Sequence, residues 1–251
     1  MAPQRTAIIS LIGAPGSGKG TYGALLASRF LNASFLSVGD ILRENSAKNE
    51  QLGAVLRSGA LVDDALVNNA VIQTLEDRSR TKEKISDSKL SNAGRDVIIL
   101  DGFPRNYAQA SLLAKWPDSL KPSLALQFDV PDEICITKLM GRRKCSICNG
   151  SFNINGVDTN GFDMPPILPE AGTCKVKCNR DTDWEKRDDD TAATIKFRMN
   201  IYHNETKPVL QYWEEREQLL RFVPYSGVKE MDKLVSLVGK YFNDESGKGK
   251  E

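Results

Sequence analysis

Histidine is nearly missing from this chain: His203 is the only one in 251 residues. A histidine-based acid/base pair or a histidine-rich metal site therefore cannot be built. No apolar run approaches the roughly 20 residues of a membrane span, so no membrane partner is expected. Net charge is also lacking, with 34 Lys+Arg against 33 Asp+Glu leaving +1. That balance argues against a polybasic nucleic-acid binder. No segment repeats with a period of about 20 to 50 residues, which excludes solenoids and propellers. Cysteine is sparse and odd in number, at five. The first apolar stretch, residues 7–13, is short and runs into a glycine loop, unlike a secretory signal. A disulfide scaffold is thus not expected, and a cytoplasmic protein is the default.

The hydrophobic share of 40% and charged share of 27% are those of a folded globular chain. The length favours one domain with insertions. Residues 7–12, 97–100 and 124–130 are almost wholly apolar and β-branched, as strands buried on both faces are. Helical patterns fall between them: about 18–30, with Leu25, Leu26 and Phe30 on one face, then 65–76 and 132–143. Strands alternating with helices predict an α/β fold around a central parallel sheet. Residues 38–62 read as a polar helical excursion, 77–96 as a solvated loop or fraying helix end, and 150–170 as an irregular insertion. An amphipathic helix is expected over 191–220, interrupted at Pro208, and the Gly-, Lys- and Glu-rich end from 243 reads as disordered.

The strongest motif is Gly13-Ala14-Pro15-Gly16-Ser17-Gly18-Lys19-Gly20-Thr21. It fits Gly-x-x-x-x-Gly-Lys between a buried strand and a helix, the context a phosphate-binding loop needs. Glycines let the backbone wrap an anion, and the helix N–H groups and dipole favour it. Lys19 is placed to reach the outer phosphates and the Thr21 hydroxyl to meet magnesium. Gly20 stands where a hydroxyl residue usually follows the lysine, so the hydroxyl arrives one place later.

That shifted loop resembles the adenylate kinases and related nucleoside monophosphate kinases, and further motifs follow in order. They are Leu36-Ser37-Val38-Gly39-Asp40-Ile41-Leu42-Arg43, Gly59-Ala60-Leu61-Val62-Asp63-Asp64, Asp101-Gly102-Phe103-Pro104-Arg105 with Gln109, Gly141-Arg142-Arg143, Arg187-Asp188-Asp189-Asp190 with Arg198, and Gly227-Val228-Lys229. The resemblance implies a three-layer P-loop core (residues 1–36, 63–140 and 191–251), a monophosphate-binding insertion (37–62) and a lid insertion (141–190). It implies a magnesium-dependent transfer between ATP and AMP that yields two ADP, in a monomer. Arg43 and Arg105 would hold the monophosphate, while Lys19, Arg142, Arg187 and Arg198 clamp the transferred group, Arg187 and Arg198 also reaching the AMP. Val38, Leu61, Val62, Gly102 and Gln109 would line the AMP pocket. Lys138 and the Lys229 carbonyl would meet the triphosphate's adenine, and Asp101 would hold magnesium through water.

Two positions depart from the family. Val38 replaces a common threonine, and Lys138 replaces an arginine that packs on adenine. Lysine cannot stack a planar fork, so GTP-dependent AMP kinase and pyrimidine monophosphate kinase stand as alternatives. Cys145-x-x-Cys148 and Cys174-x-x-x-Cys178 lie where some family members bind structural zinc. With three residues inside the second pair, zinc, free thiols and a redox-sensitive pair all stay open. A zinc ribbon for nucleic acid is a remote second class, because residues 150–169 carry no Lys or Arg. Cys135 reads as an inert core residue. The acidic run at 188–190 reads as dipole stabilisation at a helix start and salt bridging across the lid hinge.

Overall fold

The computed structural model describes residues 6–30, 32–47, 49–82, 96–148, 150–169 and 183–247. Five strands form the central sheet: β1 (Ala7–Gly13), β2 (Ala33–Ser37), β3 (Val97–Asp101), β4 (Leu124–Phe128) and β10 (Leu219–Phe222). All pair in parallel, in the order β10-β4-β1-β3-β2. β1 is buried at every residue, and its alternate side chains feed two cores. Ile8 and Ile12 join Leu100, Val71 and Trp213 on one face, while Ile9 and Leu11 join Leu26, Phe128 and Leu234 on the other. Helices on both faces explain why these strands lack a polar alternation.

The first face is covered by α4 (Asp64–Lys82), α5 (Tyr107–Leu112) and α8 (Val209–Glu214), the second by α1 (Lys19–Arg29) and α9 (Met231–Gly247). The chain runs outward from β1 to β2, returns to β3, then crosses to β4 and β10. This places the end of β1 at a topological switch point, where α/β sheets open a crevice for ligands. Between β2 and α4 lie α2 (Val38–Ser46) and α3 (Glu50–Ser58), each started by a side-chain cap: Ser37 accepts from the Asp40 N–H and Asn49 from the Leu52 N–H. After β4 comes α6 (Asp132–Gly141), followed by small strands. β5 (Arg142–Cys145), β6 (Ser151–Asn153) and β9 (Trp184–Glu185) form an antiparallel sheet, and β7 (Val157–Thr159) pairs with β8 (Phe162–Met164) as a hairpin.

Several expectations need correction. Residues 150–169 carry three strands; the hairpin hides Val157, Phe162 and Met164 against Ala14, Cys135 and Leu139, an alternation too short to see beside prolines and glycines. Leu25 is exposed, because the buried face of α1 is set by Tyr22, Gly23 and Leu26. The 191–220 helix is three elements: α7 (Ala192–Ile201), capped by Thr191, then a π-turn at Tyr202–Thr206, then α8 entered through Pro208. The π-turn closes with the Lys207 N–H on the Tyr202 carbonyl, widening the helix just before the proline that cannot donate. Leu219 and Leu220 belong to an edge strand. Residues 77–82 continue α4, and α9 runs on to Gly247; residues 83–95 and 248–251 lie outside the described set.

Candidate active site

The glycine loop turns directly off β1. At Gly16 the backbone has φ +89°, and a Cβ there would sit 2.2 Å from the Cys135 carbonyl oxygen. Only glycine allows α6 to press so closely on the loop. Lys19 opens α1, and its ammonium folds back to donate to the carbonyls of Gly13 (2.7 Å) and Ala14 (2.9 Å). Burial lowers its pKa to about 8, against the attraction of Asp101. The loop thus holds a concentrated positive charge with little water to screen it. Asp101 ends β3 opposite the start of α1: a Cβ on Gly20 would lie 3.7 Å from its Oδ2. Thr21, next but one after Lys19 on α1, is half-buried.

Two adjoining clefts open here. One is floored by Gly13, Pro15 and Lys19, the other by Val38, Arg43, Val62 and Gln109. Gly59, Leu61, Gly102, Arg105 and Arg198 belong to both, so the two spaces meet at a pair of guanidinium groups. Gly59, at φ +77°, lets the end of α3 approach α7; a Cβ there would be 2.8 Å from Arg198 Cγ.

Arg105 is pinned from several directions. Its Nε donates to the Gly102 carbonyl (3.2 Å), its N–H donates to Gln109 Oε1 (2.7 Å), and its carbonyl accepts from Thr206 Oγ1 (2.7 Å). Gln109 also donates from Nε2 to Asp64 Oδ1 at 2.8 Å. Both ends of that buried amide are thus engaged inside the protein, although the side chain borders the second cleft. Asp64 and Thr206 were not anticipated as site residues; Asp64 ends a quoted motif, and Thr206 carried no sequence signal.

The acidic run makes the salt bridges across the hinge that were expected of it. Arg142 donates to Asp190 through Nε (2.8 Å) and Nη2 (2.6 Å), and Arg198 donates to Asp189 at 2.7 Å. The Asp190 side chain is 1% exposed. These carboxylates balance a crowd of cations. Burial lowers the pKa of Arg105, Arg187 and Arg198, the last to about 10, and neighbouring arginines push the same way. Arg43 binds Asp40 at 2.5 Å; burial raises that carboxyl, but Arg43 outweighs it and the pKa falls below the usual range. The set Lys19, Arg43, Arg105, Arg142, Arg187 and Arg198 is therefore drawn together from six separate elements and loops.

Lys138 and Lys229 sit apart from the two clefts. Lys138 Nζ is spent on main-chain carbonyls of residues 155–165, and Lys229 Nζ lies 3.5 Å from Asp163 Oδ2. Cys145 is buried in the β5 sheet and Cys148 half-buried beyond it. Cys174 and Cys178 lie outside the described residues, among which no cluster of three or more metal ligands occurs. Cys135 is a core residue as expected, and burial raises its thiol to about 12.

Compared with protein families, residues 11–218 match the one described as adenylate kinase. The chain belongs to the adenylate kinase family. It is 35% identical over 242 residues to the GTP:AMP phosphotransferase of Plasmodium falciparum (isolate 3D7), covering 94% of this chain and 98% of that protein. It is 32% identical over 243 residues to the adenylate kinase of Clostridium botulinum (strain Eklund 17B / Type B), covering 94% and 99%. A rice protein (Oryza sativa subsp. japonica) named "Probable adenylate kinase 6, chloroplastic" is 33% identical over 229 residues, 87% of this chain and 72% of its own length. As in that family, the chain is a nucleoside monophosphate kinase on a parallel P-loop sheet. Among its described residues no helix is long and apolar enough to cross a membrane.

Proposed function

We propose that this adenylate kinase family member carries the terminal phosphoryl group of ATP directly to AMP, reversibly, giving two ADP. The observation that carries the reading is the pair of clefts joined at Arg105 and Arg198, with Lys19 in one and Arg43 in the other. Two phosphate-bearing ligands seated there meet tail to tail, in line across the shared cations. Such a reaction needs alignment, exclusion of water and neutralised charge, without a covalent enzyme intermediate.

Lys19 and the loop amides hold the donor's outer phosphates. Arg43 and Arg105 grip the monophosphate, while Val38, Leu61, Val62 and Gly102 wall its nucleoside. Arg142, Arg187 and Arg198 converge on the group in flight, their forks matching phosphate oxygens two at a time. Asp189 and Asp190 hold two of these forks in place before substrate arrives. Gln109 shapes the acceptor pocket through the Arg105 backbone. The domain division (1–36, 63–140 and 191–251; 37–62; 141–190) puts the first cleft on the core and the second against the first insertion.

Thr21, on the first turn of α1, and Asp101, whose Oδ2 lies against Gly20 of that turn, would hold a hydrated magnesium, which would neutralise the donor phosphates. In the second insertion the Cys145–Cys148 turn fits half of a zinc site. The backbone N–H groups of Cys148 and Ile147 point at the Cys145 sulfur and lower its pKa despite burial, and the Gly150 N–H lies 3.4 Å from the Cys148 sulfur. Cys174 and Cys178 would complete a tetrahedral thiolate set.

A GTP-dependent AMP kinase is the second reading, favoured by Lys138, which has no planar fork to stack on adenine and whose ammonium is engaged by main-chain carbonyls. Initial rates with ATP or GTP against AMP, GMP, UMP and CMP decide between them. ATP with AMP is expected to be the fastest pair. A kcat/KM for GTP tenfold above that for ATP would establish the second reading, and preference for UMP over AMP would overturn both.

A further inference from the structure

Arg105 and Arg198, the guanidinium groups common to both clefts, come from distant parts of the chain. Arg105 stands in the loop between β3 and α5, and Arg198 on α7. Transfer in line needs such groups at a fixed separation, because a misplacement of about 1 Å costs on the order of 100-fold in rate. The turn that follows α7 supplies a physical link between them.

α7 itself is firmly seated. Ile195, Met199 and Tyr202 pack into one cluster with Ala14 of the glycine loop and with Ile134 and Leu139 of α6. Arg198 is further tied to Asp189 at 2.7 Å. Residues Tyr202–Thr206 then form the π-turn, closed by the Lys207 N–H on the Tyr202 carbonyl.

That turn changes where Thr206 points. Two turns beyond Arg198, an unbroken α-helix would leave Thr206 about 80° off the Arg198 face. The π-turn absorbs one extra residue, which brings the two side chains to about 20° apart around the axis. The lining of the first cleft agrees, since Arg198, Ile201, Tyr202 and Thr206 all border it.

On that face the Thr206 hydroxyl donates to the Arg105 carbonyl at 2.7 Å. The Arg105 N–H is held by Gln109 Oε1, also at 2.7 Å, so both polar groups of this residue's backbone are engaged. Other anchors of the loop lie elsewhere: Asp64 of α4 accepts from Asn106 and Gln109 (2.9 and 2.8 Å), and Phe103 stacks on Trp116 at 5.3 Å. Those contacts fix the loop to its own side of the sheet. The Thr206 bond refers it to the helix that carries Arg198.

We propose that Thr206 is a positioning residue for phosphoryl transfer: turned onto the Arg198 face by the π-turn, its hydroxyl fixes the Arg105 backbone, so that one helix sets the spacing of the two shared guanidinium groups. Thr206 acts through Arg105 and is not itself a catalytic residue. The proposal rests on the phosphoryl-transfer reading above and adds to it what keeps these two cations in step.

Steady-state kinetics of Thr206→Val and Thr206→Ser, with both substrates varied, test it. Valine keeps the branched shape without the donor, whereas serine keeps the donor. In Thr206→Val, kcat is expected to fall at least fivefold and the KM for AMP to rise at least threefold. The KM for ATP should change less than twofold. Thr206→Ser is expected to return kcat and the AMP KM to within twofold of wild type. An unchanged kcat and AMP KM in Thr206→Val overturns the proposal. So does an equal rise in both KM values, or a defect that serine does not repair, either of which marks a general disturbance of the fold. If Thr206→Val does not fold, Thr206→Ala, smaller and also without the donor, carries the same test. A wild-type protein that binds ATP but shows no AMP-dependent turnover sinks the parent reading instead. Calorimetric affinity for inorganic pyrophosphate then judges Thr206 by itself: a loss of at least threefold in valine and none in serine supports it, and equal affinities overturn it.

Discussion

Replacing Asp190 by Asn removes one charge from the middle of the cation crowd and changes almost nothing in size. In the wild type the carboxylate takes two short bonds from the Arg142 fork and lies 3.8 Å from Arg198. The amide keeps one acceptor and turns an NH₂ toward an N–H donor, so one bond is lost and a repulsive contact replaces it. Breaking a fully buried pair from one side costs about 3–5 kcal/mol. Arg142 is 23% exposed and Asp189 stands 4.0 Å from it, so part of the freed charge finds water or a second carboxylate. A loss of about 2–3 kcal/mol is the expected net, discounted for that screening. For a chain of this size that is a fall in Tm of about 4–12 °C. Calorimetry in the absence of nucleotide measures it, at low and at 1 M salt. The deficit is expected to persist in salt, because a buried pair is poorly screened. A Tm within about 1 °C of wild type would refute the placement of Asp190 as the buried counter-charge. kcat should fall as well, since Arg142 loses the partner that orients it toward the transferred group.

Three further outcomes follow from the same geometry. Gly16→Ala adds a Cβ at φ +89° and 2.2 Å from a carbonyl oxygen; strain and overpacking together cost about 2–5 kcal/mol, read as a lower urea midpoint, and an unchanged midpoint contradicts the contact with α6. Gln109→Leu leaves the Arg105 N–H without its acceptor, costing about 1–3 kcal/mol. The KM for AMP should rise more than that for ATP in a two-substrate assay; equal rises would contradict the assignment. The third concerns pH. Lys19 has a folded pKa of about 8, below its ordinary 10.5, so between these values the unfolded chain binds more protons and apo stability rises with pH. Phosphate binding needs the charged form, so kcat/KM for the donor should fall above about pH 8 while kcat falls later. A kcat/KM flat to pH 9.5 would show that Lys19 does not lose its proton there.

How far the sequence carries the argument depends on which interactions are local. The glycine loop, its strand and its helix are legible because motif, buried run and periodicity occupy one continuous stretch. The cations at 43, 105, 142, 187 and 198 are legible as a set only through ordered motifs; nothing local tells a guanidinium that joins a site from one that faces water. Long-range partners were invisible: Thr206 reaches the Arg105 carbonyl across 101 residues, and Gln109 meets Asp64 across 45. β2 and β10 went unread because edge strands bury fewer side chains, and β2 has one buried residue in five. The hairpin was hidden by its three-residue strands, whose register is set by the core they dock on.

The central claim is that Lys19 and the joined arginines bring two nucleotides into line for direct transfer. Phosphorus NMR of wild type and Lys19→Met, given ATP and AMP with magnesium, tests it most directly. The account predicts loss of one ATP and one AMP for every two ADP in the wild type. It predicts a rate lower by on the order of 10²–10³-fold in the variant, with its circular dichroism spectrum unchanged. ATP loss without AMP loss, or a folded Lys19→Met variant turning over at the wild-type rate, would contradict it.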